Sequence, residues 1–145
     1  MQSKRQKGMV AVELAIVAPV LIVIVLGIAQ FGWLLANSVM VAAAASAAAQ
    51  NFAFQRGTTT PYSSTVTQMT SSSSWLKSQN LSITTSVNGT QCASDTACAT
   101  ALTSATGQAA AVTVAYTFTP LLQGAMFGLA AMPSSLSTTE VNRVQ

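Results

Sequence analysis

The chain has 145 residues, enough for one modest domain, and half of them are apolar while only 6% are charged. A soluble protein carries about a quarter charged residues, so a large part of this chain is built for a solvent other than water. The formal charge of +3 does not signal nucleic-acid binding, because three of the six bases are Lys4, Arg5 and Lys7. Beyond residue 8 the side-chain charges balance, Arg56, Lys77 and Arg143 against Glu13, Asp95 and Glu140, and no basic patch remains for phosphates.

The basic leader, residues 1–8, runs into an uncharged stretch from Leu14 to Ala36, 23 residues long. As a helix rising about 1.5 Å per residue it covers about 34 Å, enough for a hydrocarbon core of about 30 Å. Lys4, Arg5 and Lys7 predict a cytoplasmic N-terminus and an extracytoplasmic remainder. A secretory signal fits less well, because its apolar core is about 7–15 residues. A plain signal anchor is the simpler alternative.

Glu13 stands at the start of this helix. An acidic residue at the centre of a membrane helix costs about 2.5–3.5 kcal/mol and less near the interface, so Glu13 calls for a partner. Cleavage between Gly8 and Met9 would create one: the α-ammonium of Met9, about one helical turn from the carboxylate.

The basic leader, Gly8-Met9-Val10-Ala11-Val12-Glu13-Leu14-Ala15, Ala18-Pro19-Val20 and Gly27-Ile28-Ala29-Gln30-Phe31-Gly32 together resemble the TadE-like family. These are minor pilins, or pseudopilins, of tight-adherence pili, which are type IV-like. Leu14 stands where the family more often has Phe. Val112-Thr113-Val114-Ala115-Tyr116-Thr117-Phe118-Thr119-Pro120-Leu121 is similar to the strand and Pro turn near the family's C-terminus. The resemblance implies a bacterial inner-membrane subunit cut after Gly8 by a prepilin peptidase, with Glu13 serving assembly. It also implies other pilin subunits and inner-membrane assembly machinery as partners, a kink at Pro19, and possible passage to the surface pilus.

From Met9 to about residue 55 the pattern predicts one long helix, transmembrane over 14–36 and Ala-rich beyond Asn37. Alanine is the strongest helix former. Pro19 removes a helical hydrogen bond and predicts a kink there. Phe31 and Trp33 are expected near the outer interface, and Phe52 and Phe54 in a globular core. Arg56-Gly57 predicts the helix stop, with Gly57 as C-cap. Thr58–Pro61 reads as a loop and 64–79 as a short helix, weakened by four consecutive serines.

Leu81, Ile83, Thr85 and Val87 alternate with polar residues, a half-buried strand that Asn88-Gly89 turns. A cysteine loop follows, then irregular chain over 103–108. The clearest strand is 111–119, with Val112, Val114, Tyr116 and Phe118 on one face and Pro120 at its end. Residues 121–132 are apolar but too few to span a membrane as a helix, and read as a core loop or an exposed patch. Residues 136–144 predict a last strand, Thr139, Val141 and Arg143 alternating with Glu140 and Asn142.

The fold class expected is α+β: one long N-terminal helix packed against a small antiparallel sheet of about three strands. The domain plan is a leader (1–8), the long helix (9–55) and a Ser/Thr-rich extracytoplasmic domain (56–145).

No histidine is present, and the two cysteines, Cys92 and Cys98, have too few companions for a metal site. Outside the cytoplasm the expected state is a Cys92–Cys98 disulfide. Neither a cofactor nor a metal is expected. Glu13, Asp95 and Glu140 are too scattered for a carboxylate pair, and no phosphate-cradling loop occurs, so the expectation is a structural subunit and not an enzyme. The alternative is an uncleaved, signal-anchored adhesin or binding module, which would not need Gly8 or Glu13.

Overall fold

The computed structural model describes residues 3–121 and 132–145. The chain runs α1 (Ser3–Ala53), α2 (Pro61–Ser72), a 3-10 turn (Ser78–Asn80), β1 (Leu81–Val87), β2 (Thr90–Cys92), α3 (Asp95–Thr103), β3 (Ala109–Thr117) and β4 (Ser135–Arg143). It is α+β, as expected. It falls into two compact units, the first holding α1 as far as Leu35, the second holding Ala36–Thr119 and Pro133–Gln145.

In the first unit α1 runs from Ser3, not Met9, so leader residues 3–8 are helical too. Pro19 lies within the helix. Most large apolar side chains here are exposed on all sides of the helix, Met9, Val10, Val12, Leu14, Ile16 and Val17 among them. A helix apolar all round needs an apolar surround. The helix is long and apolar enough to cross a membrane, with a mean hydropathy of 2.9 in its most apolar window.

The second unit is organised on the rest of α1. Val41, Ala44, Ala45, Ala48, Ala49 and Phe52 are fully buried. Their spacing of three and four residues draws one stripe along the helix, and alanine lets the sheet approach closely. Phe52 joins this core, but Phe54 does not and is 68% exposed. Phe54 lies one residue past the end of α1, in the turn that follows, and is carried off the buried stripe. α1 ends at Ala53, whose carbonyl accepts from Gln145 N at 3.1 Å. That bond satisfies one of the helix's orphan acceptors and ties the C-terminal residues to the helix end. Gly57 is not the C-cap. It serves the next turn, where its φ of 80° lets Thr58 N reach Gln55 O at 3.1 Å.

The sheet has four antiparallel strands in the order β2-β1-β3-β4, one more than expected. The extra strand is β2. Asn88 (φ 48°) and Gly89 (φ 80°) form the two-residue turn that pairs Val87 with Thr90. Positive φ at both central residues is the hairpin geometry that Asn-Gly favours. One sheet face is buried through Thr85, Val87, Ala110, Val112, Val114 and Tyr116. The Thr85 hydroxyl, buried there, donates to Cys92 O at 2.5 Å.

β4 alternates as expected, but its half-buried row is Leu136, Thr138, Glu140 and Asn142, while Val141 is 58% exposed. Register decides this: Val112 faces Glu140 and Ala111 faces Val141. β4 is an edge strand, so Glu140 can lean to water while its Cβ remains on the inner face.

α2 starts at Pro61, within the stretch Thr58–Pro61 expected as a loop. Proline is well placed at a helix start, where its missing N–H is not needed. The helix stops at Ser72, short of residue 79. Residues 95–103, expected as part of a cysteine loop and irregular chain, form α3 instead, with the Ser94 hydroxyl accepting from Ala97 N at 3.3 Å as its N-cap. Of the apolar stretch 121–132, residues 122–131 lie outside the described residues, while Leu121 is 57% exposed.

Candidate functional site

The residues singled out for processing and assembly lie together at the start of α1. Gly8, Met9 and Glu13 occupy one continuous stretch of helix. Met9 and Glu13 are four residues apart, so they stack on the same helix face, one turn from each other. Met9 is 69% exposed and Glu13 is also exposed. Among the described residues, Glu13 is the one acid in an apolar helix surface that continues through Ile16, Val17, Val20, Leu21, Ile22 and Ile24. A carboxylate so placed is available to a partner outside its own chain.

Pro19 sits six residues beyond Glu13. Its ring removes one hydrogen bond from α1, a loss that helices in membranes accommodate. At Gly27 and Gly32 an added Cβ would meet nothing within 4 Å among the described residues. Among the described residues nothing requires their smallness, and glycine at both positions permits close approach by another helix.

Two residues of α1 were not singled out in the sequence and behave unlike their neighbours. Gln30 is 1% exposed and Asn37 is 3% exposed, and both have interaction partners. The signal for Gln30 was present, since a lone amide in an uncharged 23-residue run is expensive in hydrocarbon unless it is hydrogen-bonded.

In the second unit Cys92 and Cys98 form the expected disulfide, with Cα atoms 5.2 Å apart. The bond joins β2 to α3. Asp95 makes a tie that the sequence did not suggest. Its carboxylate accepts from Ser63 N at 2.9 Å and from the Ser63 hydroxyl at 2.5 Å. These bonds place a negative charge at the N-terminus of α2, where the helix dipole favours it. The Ser63 hydroxyl, helped by backbone N–H groups, holds the Asp95 pKa below its ordinary value of 3.8. No group of three or more metal-ligating side chains occurs among the described residues.

Residues 8–50 match the family described as TadE-like protein. The match begins at Gly8 and ends in the Ala-rich part of α1, so it takes in Met9, Glu13 and Pro19 and leaves out the sheet. It bears out the resemblance read from the N-terminal motifs, and TadE-like proteins are pilus-associated structural proteins. No curated protein and no solved structure matches the chain.

Proposed function

We propose that this chain is a prepilin-like subunit of a tight-adherence pilus. In this reading a prepilin peptidase cuts between Gly8 and Met9, and the mature α1 is held in the bacterial inner membrane. The basic leader stays cytoplasmic and the second unit lies outside. The subunit is then incorporated into a type IV-like pilus or primes its assembly, in contact with other pilin subunits and the inner-membrane machinery.

The observation that carries this reading is the family match starting at Gly8, on a helix whose exposed surface from Met9 to Leu35 is apolar but for Glu13. The chemistry supports it. Cleavage creates an α-ammonium at Met9. In hydrocarbon a carboxylate without a partner is strongly disfavoured, so pairing Glu13 with the α-ammonium of a neighbouring subunit selects the correct register. A misplaced subunit leaves a charge unpaired. The near-neutral charge of residues 9–145 helps too, since little charge must be desolvated when subunits pack.

The test is the N-terminus and intact mass of the protein from its native membrane, together with the fate of Glu13→Ala. The expected mature chain starts at Met9. Glu13→Ala is expected to insert normally and to be absent from sheared pili. A chain beginning at Met1 with Glu13→Ala fully incorporated would refute the reading and leave an uncleaved anchored adhesin in its place.

A further inference from the structure

Among the described residues, β4 is an edge strand of the sheet with no further strand beyond it. Its bonding pattern follows from two hydrogen bonds at its ends, Phe118 N to Ser134 O and Val144 N to Gln108 O, both 3.0 Å. Both continue the β3–β4 register, in which Thr117 faces Ser135 and Ala109 faces Arg143. Bonded and non-bonded pairs alternate along an antiparallel ladder. Leu136, Thr138, Glu140 and Asn142 therefore turn their N–H and C=O groups toward β3. Ser135, Ser137, Thr139, Val141 and Arg143 turn theirs outward. The Thr113 and Thr139 hydroxyls meet at 2.7 Å, as side chains on a non-bonded rung should. Among the described residues, the one hydrogen bond given to these outward backbone groups runs from Gln145 Nε2 to the Arg143 carbonyl at 3.5 Å.

Exposed edges are usually protected by shortness, charged residues (lysine above all), inward-pointing charges, proline, a bulge or a covering segment, and of these β4 has Glu140 on its inner face and Arg143 at its end. The opposite edge strand, β2, is three residues long and runs into α3. β4 is nine residues long and contains neither proline nor lysine, and its pairing with β3 is unbroken by a bulge. At its C-terminal end lies a cleft of about 460 Å³ lined by Gly107, Gln108, Ala109, Val141, Asn142 and Arg143. The lining offers an Arg guanidinium and two side-chain amides and contains no carboxylate. Arg143 Nη1 donates to Gly107 O at 3.0 Å, which leaves most of its five N–H donors for a ligand.

We propose that the open edge of β4 and the Arg143 cleft at its end together dock an extended peptide strand of another protein, which carries a carboxylate into the cleft. Main-chain bonds to the outward row supply affinity, as in strand addition, and the carboxylate fixes register. Antiparallel self-pairing with a second copy is the rival occupant, and the test separates the two.

The test uses the full chain in detergent and a fluorescent hexapeptide of alternating threonine and valine ending in glutamate, against its glutamine twin. Fluorescence anisotropy is expected to show at least tenfold tighter binding of the glutamate peptide. Arg143→Gln should abolish that preference. Thr139→Pro and Ser137→Pro each remove an outward N–H without breaking a bond to β3, and each should weaken both peptides at least tenfold. Equal affinity for the twins, no binding of either, or proline variants that bind as the wild type does would overturn the proposal. Disulfide-linked dimers of Val141→Cys in membranes would also overturn it, in favour of a second copy. Only the partner's identity as a pilus component rests on the function proposed above. The peptide assay does not depend on cleavage at Gly8, so the two readings fail separately.

Discussion

Phe52 and Phe54 offer a paired test of how α1 is fixed in the second unit. The two rings are chemically identical and two residues apart, but one is 0% and the other 68% exposed. Replacing Phe52 by alanine withdraws on the order of 100 Å² of buried apolar surface, about 2.5 kcal/mol at about 25 cal/mol/Å². The void adds about 24 cal/mol per Å³ that the surroundings fail to fill, so an unfilled volume of about 50 Å³ adds about 1 kcal/mol. The total, about 3.5 kcal/mol, falls within the usual range for such a truncation, about 3–5 kcal/mol. For a domain of about 100 residues that is a loss of roughly 15–25 °C in melting temperature. Phe54→Ala should change stability by no more than about 0.5 kcal/mol. The assay is scanning calorimetry of the full chain in mild detergent, with near-ultraviolet circular dichroism to report Tyr116, which is 7% exposed. Helical dichroism is a poor reporter here, because the membrane part of α1 stays helical in detergent. Equal shifts for the two variants would refute the assignment of one helix face to the core.

Two further predictions concern the same unit. Removing the disulfide by Cys92→Ala with Cys98→Ala should cost about 2 kcal/mol, the chain-entropy value for so short a loop. The melting temperature should fall in the double variant and in reduced wild type alike, and a wild type indifferent to reductant would contradict it. The Asp95 tie carries a pH signature. Its folded pKa lies below the ordinary 3.8, so the stabilisation is fully present above that value and is lost as pH falls through the folded pKa. The difference in melting temperature between wild type and Asp95→Asn should therefore be constant near neutrality and vanish in acid. A difference that grew as pH fell would refute the contact to Ser63.

The N-terminal helix and its family match were legible because their signals are local. Gly8, Glu13 and Pro19 carry their meaning in the apolar run around them, and no distant contact is needed to place them on one helix. The same holds for the strand at Leu81–Val87, where alternation marks the buried face, and for β3, where Val112, Val114 and Tyr116 do so. Asn88-Gly89 announced its turn through its preference for positive φ. The short segments after it were harder. β2 has three residues, too few for a period, and α3 is a nine-residue helix mostly of Ala and Thr whose buried face is the single pair Cys98 and Leu102.

Periodicity and composition by themselves determined that an apolar helix leads the chain, that an antiparallel sheet follows, and that the two cysteines pair. Tertiary structure decided which equivalent residue is used. It chose Phe52 over Phe54, because Phe52 lies on the buried stripe of α1 and Phe54 in the turn that follows. It turned Glu140 inward and Val141 outward, because pairing with β3 fixes the parity of every residue on β4. It joined Asp95 to Ser63 across 32 positions of sequence. Such choices depend on register and on contacts between distant segments, and a one-residue shift in register would reverse them.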